Sequence, residues 1–219
     1  MIIGLLFLLN RTALFMKFSF ALIMTGVLMI ILITEESVPR KISSAQIQGN
    51  LPFINKMINE LELTGNAVFL PKSRLLSEER VFIPALKTTK VLIPYLDDEI
   101  VITTRGLAVP PSGLPLLKKI EAEASFDGIG LENVEEKLQT FVGMNILRAV
   151  TLKKEPTGWK LELVRPEPCR VDQPTCDQYP CSACSAVLTA ITKAAQQKIW
   201  VQETTRVDNK TTFHLKIGE

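Results

Sequence analysis

Ile199–Ile217 reads IWVQETTRVDNKTTFHLKI. Its second half alternates: Thr211, Phe213, Leu215 and Ile217 fall on one side, and Thr212, His214 and Lys216 on the other. A period of two marks a strand with one covered face. Ile199–Arg206 is the partner strand. Val207–Lys210 is the turn, because Asp208 and Asn209 tolerate the backbone of a tight reversal. The stretch predicts a hairpin whose apolar side needs cover.

That cover lies immediately upstream. Ser182–Gln197 places Cys184, Val187, Leu188, Ile191 and Ala195 at helical spacing. The same order of elements occurs once before. Leu131–Val142 carries Leu131, Val134, Leu138, Phe141 and Val142 on one helical face and ends at Gly143. Ile146–Lys153 reads as a strand, and Glu155-Pro156-Thr157-Gly158 as a turn. Trp159–Val164 alternates again, with Trp159, Leu161 and Leu163 against Lys160 and Glu162. Two helix–strand–strand units predict an α+β fold, with an antiparallel sheet and both helices on its apolar face. The units share element order rather than residue identity.

Further upstream the signals are shorter. Leu51–Leu63 puts Phe53, Ile54, Met57, Ile58 and Leu61 on one helical face, with Asn50 as N-cap and Gly65 as stop. Ala67–Leu70 and Arg80–Ile83 are strand-like runs closed by Pro71 and Pro84. With the helix before them they make Leu51–Ile83 a looser third copy of the unit. Val91–Leu96 and Glu99–Thr104 read as two more strands around the turn Asp97-Asp98, with Pro94 placing the first at an edge. Arg105–Gly113 reads as a loop through Pro110-Pro111-Ser112-Gly113, and Leu114–Ala124 as a helix with Pro115 in its first turn.

The N-terminus differs in kind. Phe18–Thr34, FSFALIMTGVLMIILIT, carries no charge. A bilayer core needs roughly 20 apolar helical residues. Thr12–Met16 extend the run backwards, and Lys17 can snorkel to the interface. Leu32–Ser37 lacks the small residues of a signal-peptide cleavage site. The expected organisation is therefore a membrane anchor over residues 1–34, with one clear transmembrane helix at 18–34 and a helical hairpin with 1–16 as the alternative. A linker follows at 35–50, then an N-terminal α+β part at 51–126 and a C-terminal α+β part with a Cys-rich loop at 127–219. The lipid bilayer is then a partner and the cell membrane the location. The side stays open, since Arg11 and Lys17 precede the span and Arg40 and Lys41 follow it.

The chain has a net charge of +2. Arg11 and Lys17 are the only basic residues before Thr34, so 23 of the 25 Lys and Arg follow it, against 23 Asp and Glu. A neutral remainder lacks the basic footprint of a nucleic-acid binder.

Few residues suggest chemistry. His214, the only histidine, falls on the polar side of its strand. Asp97-Asp98-Glu99 is the densest acidic group and reads as a polar turn. There is no G-x-x-x-x-G-K-[ST], G-x-G-x-x-G or G-x-S-x-G string. Asn10-Arg11-Thr12 and Asn209-Lys210-Thr211 fit the short glycosylation pattern. The sharpest feature is the clustering of all four cysteines, Cys169, Cys176, Cys181 and Cys184, spaced C-x6-C-x4-C-x2-C. Four thiolates can hold zinc tetrahedrally, two disulfides would suit an oxidising compartment, and a core role for Cys184 needs neither. Cys181 and Cys184 form a C-x-x-C at a helix start, the arrangement of thiol redox proteins, although a loop precedes it here instead of a strand.

At Gly65–Pro84 (GNAVFLPKSRLLSEERVFIP) and Tyr179–Ala190 (YPCSACSAVLTA) the chain resembles a family of uncharacterised archaeal membrane-anchored proteins. That resemblance implies an anchor and a soluble domain, and carries over no catalytic residue. The order of elements around Cys181–Ile217 is also similar to 4-vinyl-reductase-type small-molecule-binding domains, as a fold-level analogy. The expected function is a non-enzymatic, membrane-anchored domain binding a small ligand or a protein partner. The alternative is a membrane-tethered thiol redox protein using Cys181 and Cys184.

Overall fold

The computed structural model describes residues 24–25, 51–73, 76–87, 100–166 and 173–218. The chain divides into two compact units, Met1–Gln46 and Ile47–Glu219. Only Met24 and Thr25 of the first are described, and both are helical.

In the second unit the described helices are α1 (Leu51–Glu60), α2 (Leu114–Glu121), α3 (Leu131–Gly143), α4 (Gln173–Gln178) and α5 (Ser182–Ala195). The described strands are β1 (Val68–Leu70), β2 (Arg80–Pro84), β3 (Val101–Thr103), β4 (Gly106–Val109), β5 (Ala149–Glu155), β6 (Gly158–Val164), β7 (Ile199–Val207) and β8 (Lys210–Ile217). All eight strands join one antiparallel sheet in the order β3-β4-β2-β1-β7-β8-β6-β5.

The alternating hairpin sits near the middle. Phe213 of β8 lies opposite Leu161 of β6 and Thr204 of β7. Asp208 turns the hairpin at φ 52°, a left-handed conformation open to Asp and Asn. The β5–β6 turn depends on Gly158, whose φ is +155° and whose added Cβ would stand 2.3 Å from the Leu215 carbonyl oxygen. Only glycine lets the two backbones approach that closely.

The main core lies between one face of this sheet and the helices. Leu161, Leu163, Val201, Phe213 and Leu215 meet Val134, Leu138, Phe141, Val187, Leu188 and Ile191 there. Helix α5 is buried almost all round, from Cys184 to Thr192. Packing against α2, α3 and β1 explains why it departs from the single apolar stripe expected of it. Its two buried threonine hydroxyls are satisfied within the helix, Thr189 Oγ1 donating to the Ser185 carbonyl at 2.7 Å and Thr192 Oγ1 to that of Leu188 at 2.8 Å. A second, smaller apolar cluster lies apart from the main core, with Val68, Leu70, Leu76, Phe82 and Ala108.

Several expectations are corrected. In place of a transmembrane helix followed by helix–strand–strand units, the described chain forms a single eight-stranded sheet with helices packed on it. Strands from the N-terminal part extend it through β1, which pairs with β7. Among the described residues no helix is long and apolar enough to cross a membrane. A span needs about 20 residues, and the longest described helix, α5, has 14. The run Phe18–Thr34 lies outside the described residues apart from Met24 and Thr25, so neither an integral anchor nor a cell-membrane location is retained. Arg105–Gly113, read as a loop, contains β4, and the loop before Cys181 contains α4. Val91–Leu96 and Asp97-Asp98-Glu99 lie outside the described residues.

Trp159 is partly buried against the main core, beside fully buried Leu161 and Leu163. Trp159→Ala is expected to lower stability by about 2 kcal/mol, below the range for a fully enclosed aromatic. An unchanged urea midpoint would place that strand face outside the core.

Candidate functional site

The cysteines come first, because the sequence singles them out. Cys176 on α4, Cys181 at the N-cap of α5 and Cys184 one turn later are all buried in the main core. Among the described residues no disulfide joins them. Arg165, just after β6, donates from Nη1 to Cys181 Sγ at 2.8 Å. Cys169 lies outside the described residues. Metal binding by the described cysteines is corrected: among the described residues no group of three His, Cys, Asp or Glu can hold a metal ion. The physical obstacle is local. A guanidinium on one sulfur repels a dication there, and the other two thiols are buried in the core.

The segment before α5 is fastened by oxygens. Tyr179 Oη donates to the Pro110 carbonyl at 2.9 Å, and Ser112 Oγ to that of Pro180 at 2.7 Å. Burial raises the Tyr179 phenol pKa, which keeps it a neutral donor.

The other end of α5 carries a cluster that sequence reading missed. Lys193 Nζ stands 2.5 Å from Glu121 Oε1, 3.4 Å from Asp127 Oδ1 and 3.8 Å from Glu79 Oε1. These partners come from α2, from the loop before α3 and from just before β2. Gly128 N–H and Gly130 N–H donate to the carbonyls of Lys193 and Ala194 and close that loop over the helix end. No spacing rule joins residues 79, 121, 127 and 193, so only the fold could reveal the group.

On the sheet face away from the helices, the half formed by β5, β6, β8 and β7 is polar. Glu162 Oε1 accepts from Lys160 and from Lys210, each at 3.0 Å, and the two lysines hold its carboxyl below the usual range. His214 Nδ1 is 3.6 Å from Glu155 Oε2. A hollow of about 230 Å³ lies among these groups. Its charges already compensate one another, and most of its described lining side chains are polar or charged.

A different groove opens where β1 begins and β7 runs on past it. The two strands pair at Val68–Trp200 and Phe69–Ile199, and the Val201 N–H donates to the Ala67 carbonyl at 3.0 Å. Beyond that point Asn66 Nδ2 bridges to the Gln202 carbonyl at 2.7 Å. The groove holds about 280 Å³ and is lined by Asn66, Val68, Pro84, Lys87, Trp200 and Lys216, with Val201 and Gln202. Trp200, Val68 and Pro84 supply an apolar floor, and Lys216 lies directly across from Trp200 in the β7–β8 register. The Trp200 indole N–H is shielded and has no acceptor among the described residues. Buried donors are rarely left so. Trp200 was legible only as one residue of a strand. Its place beside Pro84 and Lys87 depends on the β1–β7 pairing.

A family model described as a domain of unknown function (DUF7982) matches residues 1–139. That match takes in Asn66, Val68, Pro84 and Lys87 and stops short of the cysteines and Trp200. No curated protein and no solved structure matches the chain. With more than half of its length matched, this chain belongs to the DUF7982 family.

Proposed function

We propose that the chain is a non-enzymatic module that binds a small ligand in the groove between β1 and β7. One observation carries the reading: an apolar floor of Trp200, Val68 and Pro84 is framed by amides and ammonium groups, with no nucleophile or acid–base pair among the described residues of the lining. Ligand sites have this character, apolar surface with a few placed polar groups. A volume of about 280 Å³ suits a molecule of one or two rings. The likeness of element order to 4-vinyl-reductase-type small-molecule-binding domains supports the same reading as an analogy.

The test is binding of a neutral two-ring probe, 2-naphthol, to the full chain by equilibrium dialysis. Trp200→Ala is expected to weaken binding about tenfold through loss of ring contact, and Trp200→Phe far less. Binding unaltered by Trp200→Ala, with the variant folded by circular dichroism, would remove the groove from consideration.

A second reading has its own observation. Cys181 and Cys184 stand one turn apart at the start of α5, with the Arg165 guanidinium on the first sulfur. That supports thiol–disulfide exchange, in which an external disulfide is reduced to two thiols as the pair is oxidised. Mass mapping after incubation with oxidised glutathione tests it. A Cys181–Cys184 disulfide would favour it, and two unmodified thiols would end it.

A further inference from the structure

We infer that the ligand of the β1–β7 groove is a small aromatic carboxylate, an inference that rests on the groove being a binding site. The charges of the lining point one way. Among the described residues of the lining Lys87 and Lys216 are the ionisable groups, and neither forms an ion pair with another described residue. The two ammonium groups belong to different elements, Lys87 following β2 and Lys216 lying on β8. Both are exposed, while Val68 is buried and Trp200 half-buried beside them.

A ligand matching this arrangement has a flat apolar body and one terminal anionic group. The body covers the indole, Val68 and Pro84, and the anion reaches the ammonium groups in water at the rim. A cationic ligand would meet two like charges and no carboxylate among the described residues of the lining. Asp177 is the acidic group that Lys87 feels electrostatically, and burial raises its carboxyl pKa, which weakens it as a competing anion. The polar hollow around Glu162 offers the contrast. There lysines are present, but a carboxylate of the protein already occupies the place a ligand anion would take.

The experiment compares two probes of nearly the same shape on the full chain at neutral pH, 2-naphthoate and uncharged 2-naphthol, by equilibrium dialysis. The carboxylate is expected to bind roughly fivefold to tenfold more tightly, the scale of two exposed charge pairs. The advantage should vanish in Lys87→Gln/Lys216→Gln and shrink at about 0.5 M salt, where screening reaches within a few Å. Both substitutions lie at exposed positions, and 2-naphthol binding by the double variant reports that the groove is intact. Equal binding of the two probes would overturn the carboxylate inference and leave the groove standing. An advantage that survives the double variant would overturn it too, by placing the anion elsewhere. Binding of neither probe would overturn the groove reading and the inference together.

Discussion

Lys193→Met is expected to lower the unfolding free energy by about 3–5 kcal/mol at neutral pH, the scale for stripping one partner from a buried charge cluster. The lysine side chain is 11% exposed, and Glu79 and Glu121 are 9% and 18% exposed. Methionine fills much of the same space and leaves those carboxylates facing one another without a cation. Adding Glu121→Gln should restore part of the loss, because it removes one of the stranded charges.

The pH dependence has a definite sign. Burial by itself depresses the Lys193 pKa, but the hydrogen bond to Glu121 and the charges of Glu79, Glu121 and Asp127 outweigh it, and the pKa is raised. A raised folded-state pKa means stability that is fully present below the unfolded lysine value of about 10.4 and lost as pH rises through the folded value. The wild-type chain should therefore weaken above about pH 10 by an amount that Lys193→Met does not share. Urea titrations at neutral pH and in that alkaline range measure both effects. Equal midpoints for wild type and Lys193→Met at neutral pH would show the cluster to be an incidental surface network.

Gly113→Ala is expected to cost about 3 kcal/mol, at the upper end for overpacking. The backbone at Gly113 has φ −90°, which any residue adopts, so the requirement is for space alone. An added Cβ would lie 2.1 Å from the Ala186 nitrogen, 2.4 Å from the Ser182 oxygen and 2.5 Å from the Ala186 Cα. All three are backbone atoms of α5, which cannot swing aside as a flexible side chain would. Relief requires α2 to lift from α5, straining the neighbouring Ser112–Pro180 and Tyr179–Pro110 hydrogen bonds. Gly143→Ala is the control. Nothing lies within 4 Å of its added Cβ, and as the last residue of α3 it should be neutral or slightly stabilising. A urea midpoint lowered for Gly113→Ala but not for Gly143→Ala is the expected outcome. Equal tolerance of both would contradict the close approach of α2 and α5.

Much of the second half of the chain was legible residue by residue. The alternation of Trp159–Val164 and Thr211–Ile217, with turns at Gly158 and Asp208-Asn209, located β6 and β8 to within a residue. The spacing of Val134, Leu138 and Phe141 located α3. These signals are local, since a strand or helix with one covered face writes its own period into the sequence. The first half was harder. β4 is four residues long and buried throughout, so it shows no alternation, and the proline pair after it looked like loop. The Pro-containing run Gln173–Gln178 became the short helix α4 for a related reason, Pro174 standing near the start of the helix, where its missing N–H costs nothing. The long apolar run at Phe18–Thr34 dominated the reading of the N-terminus, yet no described helix has the length and apolar character of a span.

The candidate site was not legible at all. Its floor joins residue 68 to residue 200, and its rim joins residue 87 to residue 216. The sequence by itself determined which segments of the second half alternate, where they turn, and that four cysteines crowd into one short stretch. Only the tertiary structure decided that β1 pairs with β7, which sets Val68 beside Trp200. It also decided that Lys193 gathers three carboxylates and that Cys176 and Cys184 pack into the core. The physical reason is the range of the forces involved: periodicity is set by neighbours along the chain, whereas pairing and charge compensation depend on groups that meet only when the chain has folded.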